Sequence, residues 1–196
     1  MEQFTPLPRS FYDRDTRTVA RELIGKRLVH LVDGVPLSGI ITETEAYIGR
    51  MDKACHAYGY KKTARTATLF ARPGTAYVYL IYGMYYCLNV VTEPEGEPCA
   101  VLIRGVRAEG HADDISRRRF HCTVAQQTAY QRKNFLNGPG KVCKGFSIDK
   151  HCNQMDMTAS GLLIADGVMF PNVKSGTRIG IDYAEEAAAF PWRFYV

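Results

Sequence analysis

The sequence predicts a single mixed α/β domain, residues 1–196, built on a mainly antiparallel sheet flanked by helices. A chain of 196 residues is long enough for one well-filled hydrophobic core and short for two. Hydrophobic residues make up 46% of the chain and charged residues 23%, which is typical of a globular protein and argues against disorder. Short apolar segments of strand length are separated by turn residues, with no internal repeat and no linker.

The first half of the chain is predicted to contain one helix and four strands. Residues 15–24 place apolar side chains at helical spacing, with Asp15 as the N-cap. The predicted strands are 27–32, 35–47, 75–82 and 85–91. Asp33-Gly34 is a strong signal for a tight hairpin turn between the first two strands. Residues 49–73 are basic and aperiodic, which is typical of a long surface loop that carries function.

The second half of the chain mixes helices and strands. Residues 100–106 predict a strand, and residues 108–136 are predicted to be helical. Pro139 follows a glycine and opens a short helix, because a proline in the first turn of a helix removes no hydrogen bond that the helix needs. Two late strands are predicted at 162–165 and 178–183.

The positive charge of the chain is concentrated in two segments. The formal net charge is +5. Residues 50–72 contain six Lys or Arg against one acid, and residues 104–150 contain ten against four. This polarity is typical of a phosphate-binding face, although a solvated basic surface without a partner gives the same pattern.

The sequence also bears on the compartment and on cofactors. No apolar run approaches the roughly 20 residues that span a bilayer, and the N-terminal residues do not resemble a secretory signal. We therefore expect a cytoplasmic protein, nucleoid-associated in a bacterium, with no membrane partner and with buried free thiols. Zinc knuckles have closely spaced ligands, and this spacing is missing from the set formed by His121, Cys122, Cys143, His151 and Cys152. No metal and no cofactor is expected, and the role of this set stays open.

A carboxylate, an imidazole and several tyrosines carry the chemical signal. Glu45 lies near the end of a predicted strand, His56 follows in the basic loop, and Tyr77 and Tyr79 share one face of strand 75–82. Strand tyrosines are usually packing residues, and strand glutamates usually face solvent. Next to a basic loop, however, this set suits a pocket that grips a flat ring and activates a water beside it.

Three further residues extend this hypothesis. Glu43 shares the strand parity of Glu45, so both side chains could face one site. Arg104 lies between apolar neighbours in a strand, where an arginine either pairs with a carboxylate or extends outward. Tyr82, beside the Gly83 turn, is placed to enter a nucleic-acid duplex as an aromatic wedge.

Six segments of the chain resemble the alkyladenine/3-methyladenine DNA glycosylase family. They are Thr-Glu-Thr-Glu-Ala-Tyr (42–47), His56, the run from Arg-Pro-Gly-Thr-Ala-Tyr to Cys-Leu-Asn (72–89), Val-Leu-Ile-Arg (101–104), Asn-Gly-Pro-Gly-Lys-Val-Cys (137–143) and Arg-Ile-Gly-Ile-Asp-Tyr (178–183). The likeness covers the chain from about residue 10 to the terminal Arg-Phe-Tyr, and its order and spacing are specific. It implies a curved sheet with a protruding β-hairpin. The acidic turn at 92–98 is longer than in some members, and the N-terminal extension of larger members is missing.

The resemblance implies catalytic roles for Glu45 and Arg104, and it places Ile179 among the base-binding residues. Glu45 would be the base that activates the attacking water. Arg104 would be a second group that holds this water, and a main-chain carbonyl near Ile179 the third.

It also implies how a base would be held. Tyr47 and Tyr79 would sandwich the flipped base, with His56 at its edge. Asn89 would lie against position 2 of the purine. Tyr82 would intercalate into the space that the base leaves.

The function implied by the resemblance is that of a monofunctional DNA glycosylase. A monomer would bind double-stranded DNA containing a damaged purine of the 3-methyladenine, 7-methylguanine, hypoxanthine or ethenoadenine class. It would hydrolyse the N-glycosidic bond and leave an abasic site without cutting the strand. The main alternative is a non-catalytic nucleic-acid-binding module of the same fold, which has no use for Glu45. A small-nucleoside hydrolase is a more distant alternative, since it needs neither the basic surface nor Tyr82.

Overall fold

One antiparallel sheet organises residues 4–159 and 161–196, the part of the chain that the computed structural model describes. The strands β1 to β8 span Arg27–Val32, Val35–Ile48, Ala76–Ile81, Tyr85–Thr92, Cys99–Ala108, Leu162–Ala165, Lys174–Gly176 and Arg193–Tyr195. The helices α1 to α5 span Arg9–Tyr12, Thr16–Glu22, Ala112–Phe120, Ala129–Lys133 and Pro139–Gly145. Short 3₁₀ helices span Tyr58–Tyr60, Ala67–Phe70, Lys150–Cys152 and Asp182–Ala189. The predicted mixed α/β class is confirmed.

The strand order is β3-β4-β5-β2-β1-β6, and every pairing is antiparallel. Strand β2 is the long central strand, with 14 residues. Its first half pairs with β1 and its second half with β8, while β5 lies along its other side. Next to Glu43 the register against β5 shifts, as at a β-bulge, which changes the twist of the strand locally. The segment from Glu43 to Glu45 is therefore held by ladders on both sides.

The two faces of the sheet have different coverings. On one face Val78, Leu88 and Ile103 pack with Leu23 of the segment after α2 and Phe146 at the end of α5 in the main core. On the other face a smaller cluster packs under residues 49–73; its members are Cys55, Ala57, Leu69, Tyr77, Val91 and Ala100. Alternation along β3 thus places Val78 in the main core and Tyr77 under the loop, as the sequence predicts.

Several predicted elements are confirmed. Asp15 caps α2, because its side chain accepts from the backbone N–H groups of Arg17 and Thr18. The β1–β2 hairpin turns at Asp33 and Gly34, which have φ of 51° and 79°. The hairpin of β3 and β4 is also present, with Tyr82 in the turn rather than in the strand.

Three predictions are corrected. Residues 178–183 are not a strand: the Ile179 N–H donates to a side chain, Gly180 has φ of 74°, and a 3₁₀ helix begins at Asp182. Residues 108–136 form two helices, because His121 turns to φ of 60° and a capping box at Thr128 starts the second. Residues 49–73 are not simply a surface loop, since the part around Asp52 and Cys55 is buried.

No helix in the described ranges combines the length and the hydropathy that crossing a membrane requires.

Candidate active site

A cavity of about 900 Å³ opens on the face of the sheet that residues 49–73 cover. Side chains from β2 to β5 line its floor, and residues 179–183 and 138–141 form parts of its wall. The volume is within the range of pockets that bury a small organic ligand. The lining includes seven of the eight residues predicted for the site: Tyr47, His56, Tyr79, Tyr82, Asn89, Arg104 and Ile179.

Glu45, the eighth, lies directly behind this lining and is fully buried. One carboxylate oxygen accepts a hydrogen bond of 2.8 Å from the Ile179 backbone N–H. The other accepts one of 2.8 Å from the Tyr47 hydroxyl. The Nε of Arg104 is 3.6 Å from the first oxygen. Three donors therefore surround a carboxylate that lies behind the cavity lining.

Burial raises the pKa of Glu45 above its usual value, because the charged form loses hydration. Arg104, the Ile179 N–H and the Tyr47 hydroxyl act against this shift by stabilising the carboxylate. A raised pKa is the property expected of a general base that works near neutral pH. The resemblance implies a main-chain carbonyl near Ile179 at the attacking water, and in the structure the Ile179 amide contacts Glu45.

Glu43 and Glu45 face the same site, as their parity predicts, but their surroundings differ. Arg104 donates from Nε to Glu43 at 3.2 Å, and Arg193 of β8 donates to the same oxygen at 3.0 Å. Glu43 is therefore engaged as a counter-ion between two arginines. Glu45 keeps acceptor capacity, since a carboxylate has about four lone-pair directions.

Aromatic side chains make up much of the remaining floor. Tyr79 packs against Tyr77 with ring centroids 5.2 Å apart, and the His56 ring lies edge-on to Tyr79 at 4.6 Å. His56 Nδ1 is 3.1 Å from the Tyr77 hydroxyl. Burial, with a contribution from Arg65, lowers the pKa of His56 and favours its neutral form. Tyr77 thus orients His56, a contact that the shared face of Tyr77 and Tyr79 could have suggested.

Asn89 lies on β4 directly opposite Tyr77. Its side chain is buried, lines the cavity, and donates from Nδ2 to the Tyr77 carbonyl at 3.1 Å. The amide group is therefore fixed in place rather than free to rotate. A fixed amide on a pocket wall is able to reject a ligand by shape.

Tyr82 projects from the tip of the β3–β4 hairpin and is 86% exposed. Its φ is 50°, Gly83 follows with φ of 68°, and the Met84 N–H closes the turn onto the Ile81 carbonyl at 3.1 Å. A bulky residue in the left-handed region is strained, and such strain is concentrated at functional positions.

The basic loop is only partly available to a partner. Arg50 pairs with Glu93 at 2.6 Å, and Lys53 contacts Glu185 and Glu186. The exposed cations without an ion pair to any described residue are Lys61, Lys62, Arg65 and Arg72. All four belong to the loop that covers the cavity, and Arg65 lines the cavity itself.

The role of His121, Cys122, Cys143, His151 and Cys152 stays open. Within residues 4–159 and 161–196, no group of three or more His, Cys, Asp or Glu side chains is arranged to hold a metal ion. Cys143 and Cys152 are buried as free thiols. Burial raises the pKa of both thiols, so neither is activated.

Nearly the whole chain is similar in sequence to proteins of known family. A sequence model described as "Methylpurine-DNA glycosylase (MPG)" matches residues 10–196. A Clostridium perfringens (strain SM101) protein named "Putative 3-methyladenine DNA glycosylase" is 48% identical over 194 residues, which is 97% of this chain and 95% of the relative. A Clostridium botulinum (strain Loch Maree) protein of the same name is 46% identical over 192 residues, with the same coverage. The chain belongs to the methylpurine-DNA glycosylase family.

Proposed function

We propose that this protein is a single-domain DNA glycosylase that removes damaged purines from duplex DNA by hydrolysis. The observation that carries the proposal is the position of Glu45: a buried carboxylate with three donors around it, directly behind the lining of an aromatic cavity. A binding module gains nothing from a buried acid beside a polyanion. The matched family and the names of the relatives support the same reaction class.

The reaction begins with extrusion of the target base, because the glycosidic bond is inaccessible within a stacked duplex. Tyr82 fills the gap in the duplex, and the base enters between Tyr47 and Tyr79. Unstacking a base costs a few kcal/mol, and less for a weakly paired lesion. Stacking on tyrosine favours an electron-poor ring such as an alkylated purine.

Glu45 then deprotonates a water that attacks C1′ of the sugar. Its carboxylate remains held by Tyr47 and Ile179 while it accepts this third hydrogen bond. The negative charge also stabilises the oxocarbenium-like transition state. A base that carries positive charge from alkylation leaves as a neutral molecule without a second acid, whereas hypoxanthine and ethenoadenine leave as anions that take a proton from solvent. Hydrolysis uses no lysine Schiff base, so the product is an abasic site in an intact strand.

The substrates proposed are 3-methyladenine, 7-methylguanine, hypoxanthine and ethenoadenine, with the protein acting as a monomer. His56 contacts the edge of the base, and the fixed amide of Asn89 faces position 2. Arg104 holds the water together with Glu45 and the main chain at Ile179.

The deciding experiment presents duplex oligonucleotides that each carry one of these purines. Free base is measured by chromatography, and strand scission is measured before and after alkaline treatment. The proposal expects free base from the wild type, with cleavage only after alkali. An undamaged duplex and the Glu45→Gln variant serve as controls. Release of no base from any of the four substrates would favour the binding-module alternative.

A further inference from the structure

Asp52 and Arg178 form a buried ion pair immediately behind the proposed active site. Both side chains are completely inaccessible to solvent. The two terminal guanidinium nitrogens contact the two carboxylate oxygens at 2.5 and 2.8 Å, a bidentate geometry. Asp52 also accepts from the backbone N–H of Ala54 at 3.0 Å. The guanidinium is therefore fixed in orientation as well as in position.

The same guanidinium connects the central strand to the C-terminal segment. It donates to the carbonyl of Ala46 at 2.8 Å and to the carbonyl of Ala187 at 3.1 Å. Ala46 stands between Glu45 and Tyr47 in the chain. Arg178 thus donates a hydrogen bond to the backbone of β2 between the general base Glu45 and the stacking residue Tyr47.

Two further contacts reach the site residues themselves. The guanidinium carbon lies 4.7 Å from the Tyr47 ring centroid, within stacking range, and 5.2 Å from that of Trp192. Tyr47 lines the cavity and Arg178 does not, so the arginine lies behind the ring. The residue after Arg178 is Ile179, whose N–H holds the Glu45 carboxylate.

We propose that Arg178, anchored by Asp52, is a positioning residue: it fixes the Glu45 carboxylate through the adjacent Ile179 amide and fixes the Tyr47 ring from behind. This inference rests on the proposed glycosylase function. A buried ion pair contributes little net stability compared with apolar packing of equal volume. Its value here lies in directed contacts to the carbonyl of Ala46, next to the general base in the chain, and to the ring of a stacking residue.

The proposal predicts a change in the pH dependence of excision. The charged or titratable groups around Glu45 are Glu43 and Tyr47 on β2, Arg104 on β5, Cys87 on β4 and Arg178 behind them. The Ile179 N–H stabilises the charged form of Glu45 and so lowers its pKa. If the amide is displaced, the pKa of Glu45 rises. Because a general base must be deprotonated to act, the excision rate then begins to fall at a higher pH than in the wild type.

Arg178→Lys keeps the positive charge but cannot make the bidentate contact or the planar stack. Asp52→Asn keeps the volume of the anchor and removes its charge. Ile179→Pro removes the N–H itself while both members of the ion pair stay in the chain, so it sets the size of the expected shift. Arg27→Lys is the control, because two nitrogens of Arg27 contact one Glu109 oxygen in a partly exposed ion pair, and neither residue lines the cavity.

Single-turnover release of hypoxanthine from duplex DNA is measured for each variant between about pH 5 and pH 9, together with lesion-duplex affinity and thermal unfolding. We expect Arg178→Lys and Asp52→Asn to lose on the order of 10²-fold in rate at neutral pH, since small displacements of reacting groups have effects of this size. For both variants the pH below which the excision rate falls should increase, as for Ile179→Pro. The control should have the same pH profile as the wild type.

The inference would be overturned if the variants fold and their excision rate falls at the same pH as that of the wild type. It would also be overturned if both Arg178→Lys and Asp52→Asn unfold, because the ion pair would then serve stability alone. If one variant folds, that variant decides. Failure of the wild type to release any base would instead refute the proposed function, so the two failures are distinguishable.

Discussion

Glu45→Gln is expected to abolish base release while leaving the fold and lesion binding intact. A glutamine fits the site, because its oxygen can accept from the Ile179 N–H. Its NH2 group then points at the Tyr47 hydroxyl, which can rotate from donor to acceptor. The Ile179 N–H and the Tyr47 oxygen each keep a partner, while the Tyr47 O–H loses the acceptor that Glu45 supplied.

The expected loss in rate is on the order of 10²–10⁴-fold or more, since both a general base and a transition-state charge are removed. This corresponds to roughly 3–5 kcal/mol in the activation barrier. The assay is single-turnover release of hypoxanthine and 3-methyladenine, with binding followed by fluorescence anisotropy on the same duplexes. Excision by Glu45→Gln at close to the wild-type rate would refute the mechanism.

Stability gives an independent check of the same substitution. Burial raises the pKa of Glu45 in the folded state, so its ionisation opposes folding as pH rises above the usual glutamate value. The variant does not have this penalty. The difference in melting temperature, variant minus wild type, should therefore increase from acidic to neutral pH and then level off. A difference that decreases with pH would mean that the carboxylate is stabilised by its site.

The remaining predictions test the other parts of the site. Tyr82→Ser should reduce excision from duplex DNA more than from single strands, because the wedge compensates for unstacking; equal losses on the two substrates would count against a wedge. Asn89→Ala should raise release of unmodified guanine or 7-methylguanine relative to hypoxanthine, since the fixed amide no longer clashes with the 2-amino group; a parallel loss on all bases would make Asn89 structural. Neutralising Lys61 and Lys62 together should reduce the salt slope of undamaged-duplex binding by about 2 on a log–log plot, and an unchanged slope would remove this loop edge from the DNA contact. Activity should persist in EDTA, and inactivation that zinc reverses would revive a metal role for the cysteines and histidines.

The family was identified from local segments that the sequence shows directly. Strand alternation predicted that Tyr77 and Tyr79 share a face, and parity predicted that Glu43 and Glu45 do. The turn at Asp33-Gly34 and the cap at Asp15 were also readable, because these signals depend on neighbours along the chain. The roles of individual site residues remain predictions.

The C-terminal segment shows where such reasoning fails. Arg-Ile-Gly-Ile-Asp-Tyr alternates like a strand, yet residues 178–183 are bent because Arg178 is drawn into a buried ion pair and the Ile179 amide bonds Glu45. Both partners are distant in sequence. Periodicity carries no information about them, and tertiary contacts override the local preference.

The electrostatics of the site were likewise decided by tertiary structure. The sequence alone determined the candidate base, the aromatic residues around it and the basic character of residues 50–72. Only the fold decided that Glu43 is held by two arginines while Glu45 is buried behind the cavity, and that Arg50 and Lys53 pair with acids far along the chain. The physical reason is that residue types and local periodicity are properties of the sequence, whereas burial and charge pairing arise when distant segments pack together.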